Sequence, residues 1–175
     1  MKFKDIVPYT KDGNYRVHHS LRYFKGAIER YIEDGLQLNP DFQRGHVWTE
    51  EQQIKFVEHL LKGGKTNPIY LNQKGWMKDF KGDFVCVDGL QRITACMRFL
   101  NNEIKVFDHY YHQFEDTLSN LRNMSSLEIV VNDLPTKADV LHWYIELNTA
   151  GTVHSTEEID RVKALLQKET IEETK

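Results

Sequence analysis

The run from Val85 to Arg98, VCVDGLQRITACMR, constrains the fold more than any other part of the chain. Phe84 to Val87 is continuously apolar and partly β-branched, the pattern of a strand covered on both faces. Asp88 and Gly89 interrupt it. From Leu90 onward Ile93, Ala95, Cys96, Met97, Phe99 and Leu100 recur at helical intervals, so the chain passes from sheet into an amphipathic helix through one glycine turn. A helix start of this kind has unbonded N–H groups and the positive end of the helix dipole, which suits an anion, and Arg92 adds a fork of donors matched to phosphate. Capping is the competing account. Asp88 as N-cap with Gln91 three residues on makes a capping box, which explains Asp88, Gly89 and Gln91 without a ligand and leaves Arg92 over.

Two further segments carry unusual side chains. In Pro40 to Trp48, PDFQRGHVW, the residues Gln43, Arg44, His46 and Trp48 crowd a stretch too irregular for a helix. Pro40 biases Asn39 toward extended backbone, and Gly45 permits close approach. Singly, Trp48 reads as a core anchor and Arg44 as half of an ion pair; together they suggest a site. The helix that follows opens on a capping box at Thr49 and Gln52, with Ile54, Val57, Leu60 and Leu61 as its apolar face. Late in the chain, a helix carrying Val140, Leu141, Trp143, Tyr144 and Leu147 ends at Asn148 and Gly151. Ser155 and Glu158 then cap another helix, whose face is Ile159, Val162, Leu165 and Leu166.

In this order the three segments resemble the ParB/sulfiredoxin-like family found as the N-terminal domain of GmrSD-type modification-dependent restriction endonucleases. The family's loop of proline, aromatic, Gln-Arg, short gap and tryptophan is matched by Pro40, Phe42, Gln43, Arg44 and Trp48. Its Asp-Gly-Gln-Gln-Arg signature is matched by Asp88, Gly89, Gln91 and Arg92, with Leu90 at the place of the first glutamine. Its late Asn-x-x-Gly turn and following polar and acidic residues are matched by Asn148, Gly151, Ser155 and Glu158. The resemblance spans residues 15–168. It implies an α+β fold, a small mixed ParB/sulfiredoxin-like sheet packed with helices, and a nucleotide-phosphate pocket in a family associated with NTP hydrolysis and with sensing or cutting modified DNA.

Carried residue by residue, the resemblance implies a catalytic set of Asp88, Gln91, Arg92, Gln43 and Arg44. Arg92 and the N–H groups after Asp88 hold phosphates, and Arg44 approaches as a second cation. Asp88 binds Mg2+ or orients the attacking water, while Gln43 or Gln91 bonds a phosphate or the nucleophile. Gly89, Thr94 and Trp48 join the nucleotide-binding set, and Asn148 and Gly151 close the pocket. Leu90 has neither donor nor acceptor where the family has glutamine, so binding with weaker turnover is one expectation. Three readings follow: an NTP-hydrolysing domain linked to restriction or modified-DNA sensing, a non-catalytic nucleotide or DNA-binding module acting with a separate nuclease partner, and a phosphotransferase.

Composition sets limits on these readings. The chain has 175 residues, 40% of them apolar, enough for one domain of ordinary size. The layout expected is an extension at 1–14, the domain at 15–168 and a frayed tail at 169–175. No apolar run approaches a membrane span and the N-terminus lacks a signal-peptide core, so a cytoplasmic protein without membrane partners is expected. Cys86 and Cys96 then read as free thiols, and a turn of Asp88 to Arg92 disfavours sulfiredoxin's cysteine chemistry. A net charge of −3 without basic blocks argues against a broad phosphate clamp on DNA. The eight histidines show no zinc spacing; His109 and His112 are read as packing on a short helix. The stretch beyond residue 168 is read as too short to house a nuclease, so cleavage is expected of a partner. Periodicity predicts strands near 14–18, 68–72, 83–87, 103–107 and 127–132, with helices at 20–34, 50–62, 89–101, 136–148 and 155–168.

Overall fold

The computed structural model describes residues 2, 15–43, 45, 47–76, 78–115, 125–149 and 156–173. In chain order they form β1 (Tyr15–Ser20), α1 (Leu21–Glu33), β2 (Leu36–Gln37), α2 (Glu50–Leu61), β3 (Ile69–Gln73), β4 (Phe84–Asp88), α3 (Leu90–Leu100), β5 (Ser126–Asn132), α4 (Lys137–Thr149) and α5 (Thr156–Glu173). The strands make one mixed sheet in the order β1-β5-β3-β4-β2. β1 pairs antiparallel with β5 and β3 antiparallel with β4, whereas β5–β3 and β4–β2 run parallel. The fold is α+β, as expected.

Strand β4 shows why the sheet needs helices on both sides. Its side chains alternate, and all four of Phe84 to Val87 are buried. Phe84 and Cys86 enter a core with Leu21, Phe24 and Ile28 of α1, Val57 and Leu60 of α2, and Ile93, Cys96 and Phe99 of α3. Val85 and Val87 enter a second core with Phe42, Val140, Leu141, Tyr144 and Val162. Each large aliphatic or aromatic side chain removed from water in this way contributes about 1.5–3 kcal/mol. Helix α2 begins at the expected capping box: Thr49 Oγ1 accepts from Gln52 N, and Gln52 Oε1 accepts from Thr49 N. Among the described residues no helix is long and apolar enough to cross a membrane.

The structure corrects several local expectations. No strand forms at 103–107. Ile104 and Val106 are buried there, but Phe107 and Asp108 adopt left-handed backbone (φ 51° and 64°), turning the chain back so that only an isolated Val106–His109 bridge forms. Strand β2 is missing from the sequence reading, since two residues hold no period and only the pairing with β4 makes them a strand. Ile32, assigned to the inward face of α1, is 45% exposed because the helix ends within two residues of it. Helix α5 runs to Glu173 rather than 168, so residues 169–173 continue the helix, and Glu169 is paired with Lys137 at 3.0 Å. The proposed stop at Gly151 and the cap at Ser155 lie outside the described residues, as does the side chain of Glu158.

Candidate functional site

The β4–α3 turn departs from the capping box expected at Asp88. Gly89 is the N-cap, at φ 119°, and no side chain caps the helix. The reason is steric. A Cβ at residue 89 would lie 2.9 Å from Ile69 Cγ1 and 3.2 Å from Ile69 Cα, so the turn passes flush against β3 in a backbone state that only glycine adopts easily. Asp88 stays in the strand, opposite Tyr70, and its carboxylate is released from capping.

Asp88 instead meets Arg92, one helical turn on. Arg92 Nη2 donates to Asp88 Oδ2 at 2.7 Å, and Nη1 donates to the carbonyl of Asn67 at 2.7 Å. The guanidinium side chain is 10% exposed while the carboxylate is 34% exposed. Arg92 therefore lies beneath the turn and fixes Asp88, and it is the acid that faces solvent. The sequence offered no signal for the Asn67 carbonyl, which is brought in by the approach to β3.

Both glutamines of the predicted set strap the 40–48 loop onto this turn. Gln43 Nε2 donates to the Cys86 carbonyl. Gln91 Oε1 accepts from the N–H groups of Val47 and Trp48, each at 3.1 Å, and Gln91 Nε2 donates to the Gly45 carbonyl at 2.9 Å. Arg161 of α5, a residue the sequence reading passed over, holds the start of the strap by donating to the carbonyls of Asp41 and Phe42. Arg44 and His46 lie outside the described residues, but both chain neighbours of Arg44 are bonded to the turn. Trp48 is half-buried, packs on Phe56 at 5.4 Å and borders the first core.

The remaining candidates are less closely tied to the turn. Thr94 Oγ1 donates to the Leu90 carbonyl at 2.8 Å, and the buried Asn148 donates to the Tyr144 carbonyl at 2.6 Å, so both serve their own helices. Gly151 is outside the described residues. Cys86 and Cys96 are free and buried. Burial, with the Asp88 carboxylate adding to it, pushes the Cys86 thiol up to about 12, so it stays protonated and un-nucleophilic at neutral pH. Burial also pushes up Cys96. Among the described residues no group of three His, Cys, Asp or Glu could hold a metal, His109 and His112 included. A cleft of about 520 Å³ opens elsewhere, between β4, the loop at Pro40 to Phe42 and the start of α4, and is lined by Gln37, Asn72, Val85, Thr136 and Lys137.

The comparison with protein families assigns the chain. Residues 25–148, more than half of its length, match the model of the GmrSD restriction endonuclease N-terminal domain, and the chain belongs to that family. The matched span holds the strap, the turn, Arg92 and Asn148. Membership makes this a restriction-related domain. Neither the curated proteins nor the solved structures gave a match.

Proposed function

We propose that the domain binds a nucleoside triphosphate with Mg2+ at the strapped β4–α3 turn, in a ParB-like manner, hydrolyses it, and so controls restriction of DNA by a nuclease partner. The observation that carries this reading is the strap itself: Gln43 and Gln91 clamp the loop bearing Arg44 against a helix N-terminus beside a solvent-facing carboxylate. Phosphoryl transfer needs mainly positioning and charge neutralisation, and these parts supply both. The N–H groups at the start of α3 take the phosphate oxygens, and Arg44 is the approaching cation. Arg92 is a positioning residue, since it holds Asp88 by one oxygen and leaves the other for a cation.

Mg2+ is commonly held by one or two carboxylates together with substrate phosphates, so a single exposed Asp88 fits it where a cage of protein ligands would not be expected. When bound, the ion would neutralise charge on the phosphates. A second reading, a non-catalytic module that senses nucleotide or DNA for a partner, is favoured by Gln91. Its amide oxygen already accepts from two N–H groups and one of its amide hydrogens goes to the Gly45 carbonyl, so the oxygen is unable to accept a proton from an attacking water.

Phosphate release and binding of ATP, GTP and CTP, measured with and without DNA, test the proposal. Asp88→Asn should abolish the Mg2+ dependence of binding. Arg44→Ala should weaken binding roughly ten- to hundredfold, the worth of a charge-assisted hydrogen bond. Binding without phosphate release selects the sensing module. Absence of nucleotide binding by the intact protein, at any Mg2+ concentration and with DNA present, overturns the nucleotide reading and leaves a DNA-sensing module, which fails in turn if the protein does not bind DNA.

A further inference from the structure

The strap is also fixed from a second side, by the two C-terminal helices. Arg161 of α5 donates through Nη1 to the Asp41 carbonyl at 3.1 Å and through Nη2 to the Phe42 carbonyl. Lys137, in the first turn of α4, bonds the Asp41 carboxylate at 2.9 Å and Glu169 of α5 at 3.0 Å. The Phe42 ring meets Tyr144 of α4 edge-on at 5.5 Å, in the core that also holds Val162 of α5. Residues 41 and 42 are therefore anchored to α4 and α5, whereas residues 43, 45, 47 and 48 are anchored to β4 and the β4–α3 turn. Arg44 lies in sequence between the two anchors.

The polar contacts of the first anchor are unequal. An exposed ion pair such as Lys137 with Asp41 shifts an equilibrium by about fivefold at most. A hydrogen bond from a charged donor is worth about tenfold or more, and Arg161 makes two. Both of its acceptors are main-chain carbonyls, so Arg161 fixes the path of the backbone rather than one side chain. Helix α5 lies outside residues 25–148, the span that matches the family, so this hold on the strap comes from beyond the matched domain. The second anchor contains its own reporter. Gln43, which donates to the Cys86 carbonyl, also hydrogen-bonds the buried Cys86 thiol. Lifting the strap uncovers that thiol, whereas Cys96, buried on α3, is uncovered only when the core opens.

We propose that Arg161 is a positioning residue through which α5 latches the strap, holding the Arg44 segment at the β4–α3 turn and coupling nucleotide binding to the seating of α5. The coupling rests on the reading of that turn as a nucleotide site; the latch itself does not. By reciprocity, whatever lifts α5 releases nucleotide, and bound nucleotide seats α5.

Labelling of the intact protein with a thiol reagent, read by peptide mass spectrometry at Cys86 and Cys96, tests this without and with Mg2+ and ATP, GTP or CTP. Without nucleotide, Arg161→Ala should speed labelling of Cys86 about tenfold, the worth of one charged hydrogen bond, and leave Cys96 unchanged. Arg161→Lys, which keeps the charge and a donor for one carbonyl, should fall between that variant and the parent. Lys163→Ala, at an exposed position of the same helix, should match the parent. Nucleotide at about a hundred times its Kd should slow Cys86 labelling of the parent about a hundredfold, because the lifted strap does not bind it. The proposal fails if Cys86 in Arg161→Ala labels as slowly as in the parent, or if Cys86 and Cys96 speed up together, which is loss of the fold. It fails also if bound nucleotide leaves Cys86 labelling unchanged. Faster Cys86 labelling in the variant, with no nucleotide binding by the parent, would uphold the latch and overturn only the nucleotide reading.

Discussion

The two ends of β4 manage chemistry in opposite ways. At its C-terminal end an arginine is sunk beneath the turn, paired with Asp88 and bonded to the Asn67 carbonyl, and left-handed backbone is occupied by Gly89, the residue that tolerates it. At its N-terminal end lysines and aspartates alternate at the surface, the rings of Phe80 and Tyr15 face water, and left-handed backbone is occupied by Phe80. One end is over-determined by the fold, so its residues position one another and expose a single acid. The other is rigid in its backbone but unsatisfied at its surface. A side chain's chemistry alone does not tell which it is; Arg92 and Lys78 are both cations, and only their surroundings separate a buried strut from a solvated surface charge.

Substitutions at the C-terminal end should therefore be the more damaging to folding. Gly89→Ala meets both the positive φ and the Ile69 backbone, which cannot give way as a side-chain tip would, and should cost about 3 kcal/mol in chemical denaturation. A loss under about 1 kcal/mol would show the turn to be looser than its geometry indicates. Arg92→Ala should cost about 2 kcal/mol. That is below the 3–5 kcal/mol typical of breaking a fully buried pair, because Asp88 is partly exposed and water can solvate it once the guanidinium is gone. A larger loss would mean that the Asn67 carbonyl is left without a donor and that β3 is displaced with it.

What was legible in the sequence followed local period and local chemistry. Phe84 to Val87 and the helix from Leu90 announced themselves by spacing, and Thr49 with Gln52 announced a capping box that forms as expected. The same capping logic failed at Asp88 and Gln91. Local sequence carries no record that Ile69 lies against residue 89, and that contact moves the cap to glycine, freeing Asp88 for Arg92 and Gln91 for the strap. The grouping of Gln43, Asp88, Gln91 and Arg92 was foreseeable from motif; their division into clamps, strut and exposed acid depended on partners 25 to 46 residues away. At 103–107, buried Ile104 and Val106 look like a strand until the left-handed pair after them turns the chain back.

Acid should act at neither end of β4 first but at β1. His19 Nε2 is buried without a hydrogen-bond partner among the described residues, and burial lowers the ring's pKa below its ordinary 6.5. The folded state then binds its proton less readily than the unfolded chain does. Stability is fully present above pH 6.5 and falls as the pH drops through and below it. Denaturation midpoints between pH 7.5 and 5.5 should show this decline, and His19→Gln should flatten it. An unchanged slope in that variant would move the effect to another histidine.

The smallest effect on stability belongs to Phe80, and it is the most direct test of the contrast. Phe80→Gly relieves a left-handed backbone worth about 1–2 kcal/mol. It also gives up a ring contact with Trp76 worth about 0.5–1.5 kcal/mol, and adds unfolded-state entropy of about 0.5–1 kcal/mol. These terms nearly cancel, so the melting temperature should hardly move. The same kind of exchange, glycine for side chain or the reverse, would then cost folding at one end of the strand and almost nothing at the other. If Phe80→Gly instead destabilises by about 2 kcal/mol or more, the ring is part of the core's edge. The two ends of β4 would then differ only in degree of burial.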